Sequence, residues 1–149
     1  MSTKIIHSIF CVSIAVFFIY KGYSKINSDL TSMTANDYHQ IQTEQYNSSE
    51  KGEKPAGYKI TMNTMKQSGF LNMIGIFQIL AGILILIPKS RLIGLLLLMP
   101  IIFNIFFMHV FFDNRLDENI ETGILLVLNV ILTSYYYKNI LQLFNPITD

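Results

Sequence analysis

Residues 92–112 read LIGLLLLMPIIFNIFFMHVFF and contain no Asp, Glu, Lys or Arg. A helix of about 21 such residues is long enough to cross the roughly 30 Å hydrocarbon core of a bilayer. Lipid offers no partner for backbone N–H and C=O groups, so such a run must be helical, and the chain reads as a membrane protein. Pro100, Asn104 and His109 lie inside the run and Asp113 just beyond it. Polar side chains in hydrocarbon need a partner or a task, which makes this helix the first place to look for function.

Three further apolar runs cover residues 5–26, 69–87 and 122–143. The expected fold is all-α: a polytopic, antiparallel four-transmembrane-helix bundle forming one membrane domain over 1–149, with a polar extramembrane loop at 27–68. Lys4 before the first run gives it the look of a signal peptide, but no small-x-small cleavage pattern follows Tyr20, so it is read as a helix. Pro88, Lys89, Ser90 and Arg91 form a link short enough to turn the next helix back beside the last one. Its two cations favour the cytoplasmic side and place both termini there. Lys21, Lys25 and Lys66 vote the other way, weakened by the length of the loop they flank. Tyr135, Tyr136 and Tyr137, followed by Lys138, read as an interfacial belt where the last helix leaves the membrane.

With 51% hydrophobic residues and a net charge of +1, the chain carries none of the basic excess that nucleic-acid binding needs. A single cysteine, Cys11, excludes an intrachain disulfide and a cysteine-cluster metal site and reads as a small packing residue. His7 sits toward the opposite membrane face from His109 and the third histidine, His39, is in the loop, so neither a metal nor haem is expected. Phosphate-binding loops and nucleophile elbows are absent from the sequence, and no catalytic residue is assigned. Within the loop, 37–46 has periodicity enough for a helical turn or more but not for a folded domain. Asn47, Ser48 and Ser49 match a glycosylation sequon, which chance explains in a segment this rich in Asn and Ser.

Ser13, Gln78, Asn104 and Asn129 each fall near the middle of their helix, so each helix offers one polar group at a similar depth. Two readings stand: interhelical hydrogen bonds that set helix rotation, or a ligand or proton site in which Gln78 and Asn104 orient a carbonyl or hydroxyl head group. Gly75 and Gly82, flanking Gln78 at helical spacing, favour close helix approach. A second group gathers at the loop end of the bundle: Tyr20, Lys21, Lys25, Lys66, His109, Asp113 and Arg115. His109 and Asp113, four apart, share a helix face, an arrangement that serves either a proton relay or the anchoring of a helix end.

Several stretches together resemble the DoxX family of small bacterial four-helix membrane proteins. They are Gln78 and Gly82, the Pro88-Lys89-Ser90-Arg91 turn, Gly94, the run from Pro100 to Phe106, and His109-Val110-Phe111-Phe112-Asp113, with Gly22 and Lys25 at the exit of the first helix. The resemblance covers nearly all the apolar part of the chain and leaves out the long polar loop. It implies the bacterial cytoplasmic membrane and an association with membrane redox complexes. The family has no established catalytic motif, so only Asn104, His109, Asp113 and Lys25 carry over, as matching positions. Three functions are then expected as alternatives. The first is a non-enzymatic membrane subunit that holds a redox protein partner and presents a quinone. The second is a quinone-linked component in which His109 and Asp113 move protons. The third is a small transporter or solute-binding protein built on Gln78, Asn104 and Asn129. Gly94 and Gly123 are available for packing against a neighbouring helix or, in a homo-oligomer, a sister chain.

Overall fold

The computed structural model describes residues 3–29, 34–43 and 54–142, and among them the chain is all-helical. The helices are α1 (Thr3–Ile26), α2 (Ala35–Gln42), α3 (Ala56–Gln67), α4 (Phe70–Leu86), α5 (Arg91–Met108), α6 (Leu116–Ser134) and α7 (Tyr137–Gln142), with a π-helical turn over His109–Asp113 continuing α5. Helix α1 packs on α4, α4 on α5, and α5 on α6. Their shared core holds Cys11, Ile14 and Phe18 of α1, Ile85 of α4, Leu98 of α5 and Leu132 of α6. The outward faces are just as apolar: Val16, Ile76, Ile93, Phe103, Ile124 and Ile131 are all exposed. Gln78, Asn129 and Asp113 are buried instead. An apolar exterior around a partly polar interior suits lipid as the surrounding solvent.

Thr3–Ile26 and the continuous Arg91–Asp113 are long and apolar enough to cross a membrane, and the pair Ala56–Gln67 and Phe70–Leu86, bent by 79°, makes a third span if it is one crossing. The four crossings expected from the apolar runs are therefore matched by two or three helices of that kind. Helix α6 begins at Leu116, six residues before the apolar run, because Asp117 and Glu118 in its first turn complement the helix dipole. Those acids, with Glu121, leave a short apolar remainder. It ends at Ser134, where Tyr136 N–H bonds back to the Thr133 carbonyl at 2.9 Å, and α7 starts afresh. The single helix expected to run on to residue 143 is therefore two, α6 and α7, with only Leu143 outside the described residues.

The segment read as a loop contains α2 and α3. Thr34 and Asp37 form a capping box at the start of α2, with Thr34 N–H donating to Asp37 Oδ2 at 2.6 Å. Lys59 Nζ of α3 donates to Asp37 Oδ1 at 2.7 Å and ties the two helices together. The sequon at 47–49 lies outside the described residues. The Lys59 ammonium, with the Thr34 N–H, holds the Asp37 carboxyl below the ordinary carboxylate range. Because the folded value is depressed, the stabilisation is complete above the unfolded value of about 3.9 and is lost as pH falls through the folded one. The protection of the α2 amides, measured against the intrinsic exchange rate at each pH, is expected to be high at pH 6 and to fall below pH 4. In Asp37→Asn it should be about tenfold lower at pH 6 and lose that acid sensitivity. A pH-independent α2 in the unmodified protein would contradict the pairing.

Gly69, at φ +78°, makes the elbow between α3 and α4, a left-handed position that a side chain would strain. The elbow lays α3 across the end of the bundle, where Lys66 Nζ donates to the carbonyls of Lys25 (3.2 Å) and Ile26 (2.9 Å) and to Asn72 Oδ1 (3.0 Å). A cation on the last carbonyls of α1 suits the negative end of that helix. At the opposite end Arg91, read from sequence as a loop cation, is buried. Its Nε donates to the Ile85 carbonyl at 3.0 Å and its guanidinium reaches Ser8 Oγ at 3.2 Å.

Candidate functional site

Of the polar groups of the loop end, only His109 and Arg115 meet Asp113, which is 1% exposed; Tyr20 is exposed, Lys21 pairs with Glu121 and Lys66 caps α1. His109 Nδ1 lies 2.9 Å from Asp113 Oδ2, and Arg115 grips the same carboxylate in fork geometry, Nε to Oδ1 at 2.8 Å and a terminal nitrogen to Oδ2 at 2.9 Å. Arg115 also reaches Glu118 Oε1 at 3.0 Å. With the Asp113 carboxylate accepting, Nδ1 of His109 is the donor of this bond. The pair lies on the π-helical turn. Asn114 N–H bonds to the His109 carbonyl at 2.7 Å, and in that wide turn the fourth residue on comes nearly full circle, so Asp113 sits under the imidazole. Tyr58 of α3 covers the other side, its ring 5.8 Å from that of His109. Sequence reasoning missed Tyr58 because nothing local marks a tyrosine in a polar segment as a lid on a helix 50 residues away.

Two cavities flank this cluster. A chamber of about 70 Å³ lies among α1, α4, α5 and α6, lined by Lys21, Lys25, Gln78, His109, Glu121 and Thr122 among others. Gln78 is fully buried, and neither its Oε1 nor its Nε2 has a hydrogen-bond partner among the described residues. The second is a half-open groove of about 520 Å³ between the α3–α4 elbow and α5. Its walls are Met65, Phe70, Ile74, Phe77, Ile101, Met108, Phe111 and Phe112, and its polar groups are Lys25, Thr61 and Asn104. The volume falls within the range of small-molecule pockets, and few polar groups in an apolar lining is how such pockets orient a ligand.

The mid-depth polar residues separate. Gln78 lines the chamber, and Asn129 Nδ2 donates to the Leu95 carbonyl at 3.3 Å, joining α6 to α5. Ser13 and Asn104 are exposed and bond within their own helices, Ser13 to the Ile9 carbonyl at 3.0 Å and Asn104 to the Pro100 carbonyl at 2.8 Å. Asn104 therefore belongs to the groove and Gln78 to the chamber, and they do not meet in one mid-depth site. Lys25 lines both. His7 packs far from His109: Nε2 is 3.1 Å from the Leu132 carbonyl and the ring stacks on Tyr135 at 4.1 Å. Comparison with protein-family models, with curated proteins and with solved structures finds no match to this chain.

Proposed function

We propose that this chain is a DoxX-like protein of the bacterial cytoplasmic membrane. In this reading it crosses the bilayer four times with cytoplasmic termini, and serves as the membrane subunit of a redox assembly without catalysing a reaction by itself. Its ligand is a quinone-type lipid, a ring bearing carbonyl or hydroxyl groups, held in the groove. The observation that carries the reading is the groove itself, apolar except for Lys25, Thr61 and Asn104, with Phe70, Phe77 and Phe111 exposed along its rim. Such a lining accepts a flat ring and offers polar groups to its oxygens.

Four crossings are supported by the order of contacts α1–α4–α5–α6 and by the Lys21–Glu121 pair, 3.6 Å apart, which sets the end of α1 beside the start of α6. Helix α4, at 17 residues, reaches about 26 Å, near the thickness of the hydrocarbon core. Cytoplasmic termini are supported by Lys4 and Lys89, exposed at the end of the bundle where the chain begins. A solute-carrying role is less well supported, since the chamber at about 70 Å³ holds only about two waters.

The test uses the purified protein in lipid nanodiscs with and without a short-chain quinone. Quinone at 100 times its Kd is expected to stabilise the protein by about 2.7 kcal/mol in thermal unfolding. Asn104→Leu should lose most of that gain while unfolding normally without quinone. Equal melting with and without quinone would end the reading. Native mass spectrometry of the gently extracted protein tests the redox partner: a defined stoichiometric complex is expected, and a bare chain would remove the subunit role.

A further inference from the structure

Lys25 and Ile105 are shared by the groove and the chamber, and among the described residues Lys25 is the only charged one lining the groove. Lys25 thus stands where an apolar cavity meets one lined by charged and amide side chains. Every other charged group near it is engaged. On α1, Lys21 pairs with Glu121 of α6 at 3.6 Å. From the π-helical turn, His109 and Asp113 pair with each other, and Arg115 holds Asp113 and Glu118. From α3, Lys66 sits on the last carbonyls of α1, and Tyr58 packs its ring on His109. Helix α4 presents only amides, Asn72 bonded to Lys66, and Gln78. The Lys25 ammonium makes no hydrogen bond or ion pair among the described residues. On the chamber side the fully buried Gln78 amide has both polar atoms without a partner among the described residues, in a space large enough for about two waters, which is how buried polar groups without protein partners are satisfied.

We infer that Lys25 is the contact for an acidic ring hydroxyl, of the phenol or hydroquinone class, lodged in the groove, and that it exchanges the proton of that hydroxyl with water in the chamber. The inference rests on the groove reading and names the chemistry of its occupant. In the exchange the Lys25 ammonium gives a proton to chamber water and, as the amine so formed, takes the proton of the ring O–H, leaving a phenolate beside the restored ammonium. The reverse sequence reprotonates the ring oxygen. No electron moves in either direction.

The probe is 2-nitro-4-octylphenol, whose phenolate is yellow, added to the full-length protein in phosphatidylcholine nanodiscs. Retention of the probe is measured separately by equilibrium partition against empty nanodiscs. The bound probe is expected to ionise at least about one pH unit lower than in empty nanodiscs, because an opposite charge within contact favours the ionised form. Lys25→Met should keep the probe bound and abolish the shift, whereas Lys25→Arg should preserve it. After a pH jump, Gln78→Leu, which makes the chamber apolar, should slow the colour change about tenfold at an unchanged equilibrium shift. A probe that partitions equally into empty and loaded nanodiscs overturns the groove reading and this inference with it. A probe that binds with the same shift in Lys25→Met overturns the role of Lys25 alone, and an unchanged rate in Gln78→Leu overturns exchange through the chamber.

Discussion

Replacing Asp113 with alanine is expected to destabilise the protein by about 3 to 5 kcal/mol, the usual cost of removing one partner from a buried charge pair. The carboxylate is almost wholly buried and receives two bonds from Arg115 and one from His109. Without it the guanidinium keeps only its contacts to Glu118 and the distant Asp117, while the imidazole loses the group that fixes its tautomer. Asp113→Asn should be milder, since an amide oxygen still accepts one bond. If uncompensated charge is the cause, Arg115→Met in the alanine background should restore part of the loss, so the double variant is more stable than Asp113→Ala. Thermal and denaturant unfolding in one detergent measure all three. A loss below 1 kcal/mol for the alanine variant would mean that the cluster is hydrated and contributes little.

Gly75→Leu is expected to be comparably damaging for a steric reason. A Cβ on Gly75 would stand 2.7 Å from the Gly22 carbonyl oxygen, and a Cβ on Gly22 would stand 2.6 Å from the Gly75 carbonyl oxygen. The two backbones touch with no side chain between them, so α1 and α4 must move apart as rigid bodies to admit one. Overpacking of this kind costs about 1 to 3 kcal/mol where side chains can yield, and a backbone-on-backbone contact puts Gly75→Leu at or above the top of that range. Gly123→Ala is the control. Its Cβ would meet only the Phe106 ring, at 3.3 Å, and a ring edge can give by a few tenths of an ångström. Equal stability of Gly75→Leu and the unmodified protein would show that α1 and α4 are not held this closely.

The apolar runs located α1, α4 and α5 to within a few residues, because lipid-facing and core-facing positions alike must be hydrophobic and the charged residues mark where that stops. The ends were less legible. Asp117 and Glu118 look like a polar link in sequence, yet acids are favourable in a first helical turn, and α6 uses them that way. The four-residue spacing of His109 and Asp113 pointed to a shared face. The π-helical turn that tightens it depends on Asn114 adopting a left-handed backbone, which no spacing rule reveals. Depth alone grouped Gln78 with Asn104. Helix rotation turned one into the chamber and the other into the groove. Arg91 looked like an orientation signal and is also a cap, since a buried guanidinium can satisfy the free carbonyls at the end of α4.

The Lys66 cap has a consequence in time as well as in space. The carbonyls it satisfies belong to Lys25 and Ile26, about 40 positions earlier. A ribosome that has just released α1 has not yet made the residue that closes it. Through all the intervening synthesis the end of that first helix must borrow its partners from water or lipid head groups. The long polar segment is then more than a spacer, because its far end returns to finish the helix that preceded it. Shortening it alters when α1 is completed as well as what stands beside it.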